Sequence, residues 1–247
     1  MSNRVAIVTG GASGIGNAIA RRLAADGAAV AILDRNGEAA KTAASKIEAD
    51  GGDALGVTAD VTVRSELDVA LEAVKTGLGL PSILVNAAGI VHHGPFLELT
   101  LDTWNRILNI NLTGQFNVSQ AVIPLLVQGG WGRVVNISSS VVHSGAPYLT
   151  SYAAAKSGVV GLTKALALEF ARDGITVNSV APGATDTPMF RGSASSGSID
   201  VERIEANVPV GRIGQPDDIA ATVAFLVSDE AGYITGQLVG VNGGINT

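Results

Sequence analysis

Seven short apolar runs recur along the chain, with longer stretches of helical period between them. Val5–Val8, Ala29–Leu33, Ala54–Val57, Ile83–Val85, Val134–Ile137, Val177–Ala181 and Leu238–Val241 are rich in Val and Ile and show little polar alternation. Strands that are apolar on both faces belong in a sheet covered on both sides. Ile15–Asp26, Glu38–Asp50, Arg64–Leu78, Leu101–Leu126, Tyr152–Arg172 and Pro216–Leu226 read as helices, and the fourth is long enough to be broken. Alternation of this kind predicts right-handed βαβ units, hence an α/β fold with a doubly wound, seven-stranded parallel sheet flanked by helices. No Pro/Ser-rich linker divides residues 1–247, so a single domain is expected. Phe190 to Asp200, with Gly192, Gly197 and a run of serines, reads as an exposed loop. It also follows a strand's carboxyl end, which makes it a candidate substrate lid around 188–207.

Composition narrows the function. Hydrophobic residues are 47% and charged residues 15% of the 247, ample for a large core and too little charged for a disordered chain. The absence of cysteine excludes a disulfide framework, a thiolate zinc site and a cysteine nucleophile. A net charge of −6 argues against a nucleic-acid partner held by phosphate contacts. The longest unbroken apolar run, Ala28–Leu33, has six residues, so no membrane span is expected. Met1–Gly11 has no signal-peptide pattern, and a cytoplasmic location follows as the expectation.

The first strand runs into Thr9-Gly10-Gly11-Ala12-Ser13-Gly14-Ile15-Gly16. Glycines let a strand-to-helix turn approach a pyrophosphate, which the helix N-terminus then stabilises, as in Rossmann-type folds. The spacing departs from G-x-G-x-x-G, and a tight connection alone would also use these residues. Asp34 strengthens the functional reading because it ends the second strand, near the spacing expected for a carboxylate on the adenosine ribose. Such a carboxylate accepts from the ribose hydroxyls and repels a 2′-phosphate, so NAD is expected over NADP. Arg35 beside it would accept some NADP, and an Asp at a strand end also suits a plain turn.

Tyr152 and Lys156 stand four apart at the start of a helix and project from one face. Ser139 follows the fifth predicted strand, at the carboxyl edge where the cofactor should lie. In order, Thr9–Gly16, Asp60-Val61, Asn86-Ala87-Ala88-Gly89, Asn111, Ser139, Tyr152–Lys156 and Pro182-Gly183 with Thr187 resemble the motifs of the short-chain dehydrogenase/reductase family, over essentially the whole chain. The likeness extends to 3-oxoacyl-carrier-protein reductases and to NAD-dependent hydroxysteroid and hydroxyacyl-CoA dehydrogenases.

This resemblance implies a hydride-transfer oxidoreductase. Tyr152 would be the general acid/base, Lys156 would lower its pKa and bind the nicotinamide ribose, Ser139 would hold the substrate oxygen, and Asn111 would hold a relay water. A tyrosine titrates near pH 10, so work near neutrality asks for about 4 kcal/mol of help. By the same resemblance Gly10, Ser13, Gly14, Ile15 and Gly16 would line the pyrophosphate. Asp60 and Val61 would flank the adenine, and Asn86, Ala88 and Gly89 would pass beside the ribose and ring. Pro182, Gly183, Thr185 and Thr187 would hold the nicotinamide. Ala87 departs from the family's frequent Asn.

Substrate signals are thinner. Val91, His92, His143, Tyr148, Met189 and Phe190 are candidates to wall the substrate pocket. No metal set is spaced among the histidines. The expected substrate is an NAD-linked secondary alcohol or ketone, for which a hydroxyacyl thioester on coenzyme A, a hydroxysteroid or a small diol would each fit; reduction of 3-oxoacyl groups on acyl carrier protein with NAD(P)H is the alternative. Gln128-Gly129-Gly130-Trp131 lacks the basic residue that relatives use towards that acidic carrier. A catalytically silent NAD-binding scaffold is the alternative of another class, and the intact Ser139, Tyr152 and Lys156 count against it. Family likeness implies a homotetramer, built on the Tyr152–Arg172 helix, the helix before it and the last strand, Ile234–Asn242.

Overall fold

The computed structural model describes Met1 and residues 3–246. Seven parallel strands form one sheet in the order β3-β2-β1-β4-β5-β6-β7. They are β1 (Val5–Thr9), β2 (Ala29–Asp34), β3 (Ala54–Thr58), β4 (Ile83–Asn86), β5 (Gly132–Ile137), β6 (Ile175–Pro182) and β7 (Leu238–Val241). The helices are α1 (Gly14–Ala25), α2 (Gly37–Ala49), α3 (Arg64–Gly77), α4 (Leu101–Leu108) and α5 (Gly114–Gly129). They continue with α6 (Val141–Ser144), α7 (Thr150–Phe170), α8 (Pro188–Ser195), α9 (Val201–Ala206) and α10 (Pro216–Leu226).

Alternate residues of each strand feed two separate cores, as the two-residue period of a strand requires. Ala6, Val8, Val30, Ile32, Val85 and Val135 pack against Ile19 and Leu23 of α1 and Ile219 and Val223 of α10. Ile7, Leu33, Leu84, Val134 and Val177 pack on the other face, against Leu67 and Val74 of α3 and Val122 and Leu126 of α5. This is why β1, β4, β5 and β6 are buried throughout, although β5 and β6 also carry Arg133, Asn136, Asn178 and Ser179. After β1 the chain builds outward to β3, then returns to place β4 on the other side of β1. The strand order reverses there, and a crevice opens at the carboxyl ends of β1 and β4.

Two expectations change. The predicted helix Leu101–Leu126 is interrupted by a π-helical turn over Asn109–Thr113. The Asn111 side chain donates to the Ile107 carbonyl (2.9 Å) and competes with the regular ladder there. Phe190–Asp200 is not an irregular loop, because α8 covers its first half and α9 starts just beyond it. Thr187 caps α8 through its hydroxyl, with Pro188 in the first turn, and Asp200 caps α9 by accepting from the Arg203 N–H. Neither helix has a buried residue.

Candidate active site

The β1–α1 turn is built for close approach. Gly10 sits at φ +64°, and a Cβ there would lie 2.8 Å from the Ala88 Cα. A side chain on Gly16 would run into the Gly10 carbonyl. The Thr9 hydroxyl accepts from the N–H groups of Ala87 (3.0 Å) and Ala88 (3.2 Å), tying the ends of β1 and β4 together. Ser13 begins α1 without a side-chain cap, and the first turn has no acidic residue. The leading N–H groups and the positive end of the helix dipole are therefore left for an anion, which fits a dinucleotide pyrophosphate.

Asp34 lies beside this turn and accepts from the N–H groups of Ala12 (3.3 Å) and Asn36 (3.0 Å), one on each oxygen. A carboxylate has about four lone-pair sites, so acceptors remain for two ribose hydroxyls. Arg35 lines the same end of the cleft. Asp60 takes the Thr62 hydroxyl (2.7 Å) and N–H (2.8 Å) on one oxygen, and these bonds hold its carboxyl below the ordinary range.

The second half of the site hangs from the end of β5. The Lys156 Nζ donates to the Ile137 carbonyl (2.8 Å), and the Ser138 hydroxyl donates to the Lys156 carbonyl (3.0 Å), which fixes α7 to the strand end. Lys156 is only 3% exposed, and burial pushes its ammonium down to about 8. Its Nζ lies 5.7 Å from the centre of the Tyr152 ring. Burial pushes the Tyr152 phenol up, while a hydrogen bond with the Ser139 hydroxyl pulls against it. Asn111 donates to the carbonyls of Ile90 (3.0 Å) and Ile107, and its Oδ1 accepts from the Ile90 N–H (3.2 Å). One amide hydrogen and the Oδ1 thus hold the loop after β4 while the other amide hydrogen bonds back to α4, and only glycine fits at position 89 because a Cβ would lie 2.6 Å from that Oδ1.

All four catalytic candidates line one cleft of about 860 Å³ at the crevice between β1 and β4. Every cofactor candidate except Asn86 lines it as well. A phenol, a hydroxyl and an ammonium converging beside an anion-binding turn can move a proton at a substrate oxygen while a dinucleotide lies alongside.

Similarity to known proteins agrees with this geometry. A family model described as enoyl-(acyl carrier protein) reductase matches residues 10–246. The chain belongs to the short-chain dehydrogenase/reductase family. Among relatives, it is 43% identical to an acetoacetyl-CoA reductase of Shinella zoogloeoides, over 98% of each chain. It is 40% identical to a 2,5-dichloro-2,5-cyclohexadiene-1,4-diol dehydrogenase of Sphingobium indicum, over 99% of this chain and 96% of the relative. A solved actinorhodin polyketide ketoreductase variant with NADPH superposes with a TM-score of 0.95 at 39% identity, covering 99% of each chain. As a member of this family the chain is an NAD(P)-dependent oxidoreductase acting on CH–OH groups.

One residue named from the family pattern and three substrate candidates lie elsewhere. Asn86 is wholly buried and donates to Ser119 (3.0 Å) and Asn136 (2.9 Å), so it lies beneath the cleft. Val91, Met189 and Phe190 do line the cleft. His143 and Tyr148 are exposed and do not line it, and Tyr148 is held at φ +65°. The His92 ring folds back over Gly94, where a Cβ would meet its Nε2 at 2.9 Å, and His93 takes its place on the cleft wall. Gln115 escaped the sequence reading altogether: buried in α5, it donates to the same Ile137 carbonyl as Lys156 (3.2 Å). Only the fold brings these two residues together, and no local motif marks the contact.

Proposed function

We propose that the protein is an NAD-preferring dehydrogenase of small secondary alcohols, working reversibly on the matching ketones. The observation that carries this reading is the sharing of one cleft by the glycine turn, Asp34, Ser139, Tyr152 and Lys156. NAD supplies, when bound, the ring carbon that accepts or returns hydride. The α1 N-terminus and Gly10, Ser13, Gly14, Ile15 and Gly16 hold the pyrophosphate. Asp34 accepts from the ribose hydroxyls and disfavours a 2′-phosphate by charge. Asp60 and Val61 flank the adenine, Ala88 and Gly89 the adjoining ribose, and Pro182, Gly183, Thr185 and Thr187 the nicotinamide.

During alcohol oxidation Tyr152 takes the proton from the substrate oxygen, and Ser139 holds that oxygen as its charge changes. Burial opposes the phenolate, so ionisation near neutrality depends on the Lys156 ammonium. With its pKa at about 8, Lys156 is mostly charged at neutral pH and supplies that field. Asn111 keeps the Gly89–Ile90 loop against the cofactor side. Helices α8 and α9 serve as the lid of this single catalytic domain.

The chain's likeness to an acetoacetyl-CoA reductase favours a second reading, an acyl-thioester substrate. Phe116 on α5 and Leu168 on α7 are 43% and 84% exposed, which suits the homotetramer expected from family likeness, and light scattering measures it.

The deciding experiment follows nicotinamide absorbance with secondary alcohols and NAD, and with acetoacetyl-CoA and NADH, for wild type and Tyr152→Phe. The variant should lose turnover by at least about a hundredfold and keep its dinucleotide affinity. Retained turnover removes Tyr152 from the mechanism. Thioester reduction without alcohol oxidation transfers the assignment to the second reading.

A further inference from the structure

The ionisable side chains on the cleft wall fall into three places. Asp34, Arg35 and Asp60 lie on the adenosine side, Tyr152 and Lys156 form the catalytic centre, and His93 stands apart. The wall near His93 includes Val91, Met189 and Phe190, with no other charged residue. His93 belongs to the loop after β4, and its Nε2 lies 3.3 Å from the Ser193 Oγ on α8. Among the described residues, this is the one hydrogen bond joining the two lid helices to that loop.

The Ser193 Oγ also lies 3.2 Å from the Met189 carbonyl, and its single hydroxyl proton serves one of these two partners. With that proton on the carbonyl, the serine oxygen accepts from His93 Nε2–H. A neutral imidazole with its proton on Nε2 carries a lone pair on Nδ1. That nitrogen has no hydrogen-bond partner among the described residues. Burial pushes the His93 imidazole down, as does the neighbouring His92, which keeps the ring neutral near neutral pH. In that tautomer the cleft carries a histidine acceptor. Such a group welcomes an O–H donor and offers nothing to a carboxylate or phosphate.

We propose that His93 Nδ1 accepts a hydrogen bond from a second hydroxyl of the substrate, so that the preferred substrate is an uncharged diol on a hydrocarbon frame. The proposal rests on the reading of Tyr152 as the acid/base. One alcohol carbon gives its hydride to NAD and its O–H proton to Tyr152, leaving a hydroxyketone. The second hydroxyl stays intact on His93.

Two measurements test it. The first compares kcat/KM for cyclohexanol and for each cyclohexanediol isomer in wild type, His93→Leu and His93→Gln. The second reads the imidazole nitrogen resonances of the cofactor-free wild type by NMR, assigned with His93→Gln, during titration with the same alcohols. Wild type should favour its best diol by about fivefold to tenfold, the worth of one neutral hydrogen bond. His93→Leu should bring the ratio to about one, and the amide acceptor of His93→Gln should restore part of it. The spectrum should show the proton on Nε2, with Nδ1 shifting on addition of diol and not of cyclohexanol. Equal rates on both alcohols in wild type, or a preference that survives His93→Leu, overturn the His93 role and leave Tyr152 standing. Diol-dependent Nδ1 shifts without turnover of either alcohol overturn the secondary-alcohol reading and keep His93 as a hydroxyl acceptor. Neither shift nor turnover overturns both.

Discussion

Lys156 burdens the fold that holds it, and replacing it with Met should make the protein more stable as it becomes inactive. The ammonium is 3% exposed, and burial lowers its pKa from 10.5 to about 8. At about 1.36 kcal/mol per pH unit, that shift amounts to about 3 kcal/mol against folding while the group is charged. Lys156→Met removes the charge and keeps most of the stem. It also loses the bond to the Ile137 carbonyl, worth about 1 kcal/mol, but that carbonyl keeps Gln115 as a donor at 3.2 Å. The net gain is about 2 kcal/mol, or roughly 4–8 °C in Tm for a chain of this size.

The sign depends on pH. The folded-state value lies below the unfolded one, so the unfolded chain binds the proton more tightly and wild-type stability rises with pH between the two values. The penalty is complete below about 8 and gone above 10.5, so the variant's advantage should shrink across that window. Calorimetric melting of both proteins from neutral pH to beyond that window reads this directly. A variant that melts below wild type at neutral pH, or an advantage independent of pH, would refute the reasoning.

Asp34→Ser should shift the ratio of kcat/KM for NADP over NAD upward by at least about tenfold, because a carboxylate no longer faces the 2′-phosphate; paired initial rates measure it. Gly10→Ala forces a Cβ to 2.8 Å from the Ala88 Cα at φ +64°. The cost is about 1–3 kcal/mol in urea unfolding, with weaker dinucleotide binding by titration. Asp218 pairs with Arg212 (2.7 and 2.9 Å) and accepts from the Gln215 N–H, which hold its carboxyl at about 2. Asp218→Asn should cost about 1 kcal/mol at neutral pH, given the exposure of the pair. That stability is present above the unfolded value of 3.8 and fades as pH falls through about 2, so the two melting curves should converge in acid.

Much of this architecture was legible because burial on both sheet faces leaves an unmistakable record. Val134–Ile137 and Val177–Ala181 announce themselves because Val134, Val135, Ile137, Val177 and Val180 each face one of two cores. The break at Asn109–Thr113 was only half legible. Besides its local bond to Ile107, Asn111 is held by two bonds to Ile90, 21 positions earlier, and no local period records such a contact. The lid helices were missed for a different reason. The serines of α8 suggest a loop, yet the capping signals Thr187-Pro188 and Asp200 stand in plain sight. Adjacent histidines defeat sequence reading too, because the crowding of His92 over Gly94 distinguishes the residue that faces the cleft.

The misplaced Asn86 shows how the site divides its tasks. Asn86, Asn136 and Thr163 are all buried and linked in sequence, with Thr163 donating on to the Val159 carbonyl (2.8 Å). This row joins the end of β4 to β5 and to α7, the helix that carries Tyr152 and Lys156. Ser179 of β6 extends it by donating to the Asn136 carbonyl (3.0 Å). These bonds tie the ends of β4, β5 and β6 to α7, while the Asn86 Oδ1 is buried without a hydrogen-bond partner. Above the catalytic groups the arrangement is the opposite, with two short helices that bury none of their residues and are joined to the facing loop by the Ser193–His93 bond. On the proposed reading, this bonded floor holds the phenol, hydroxyl and ammonium in register, and the lightly attached roof lifts to pass substrate without disturbing them.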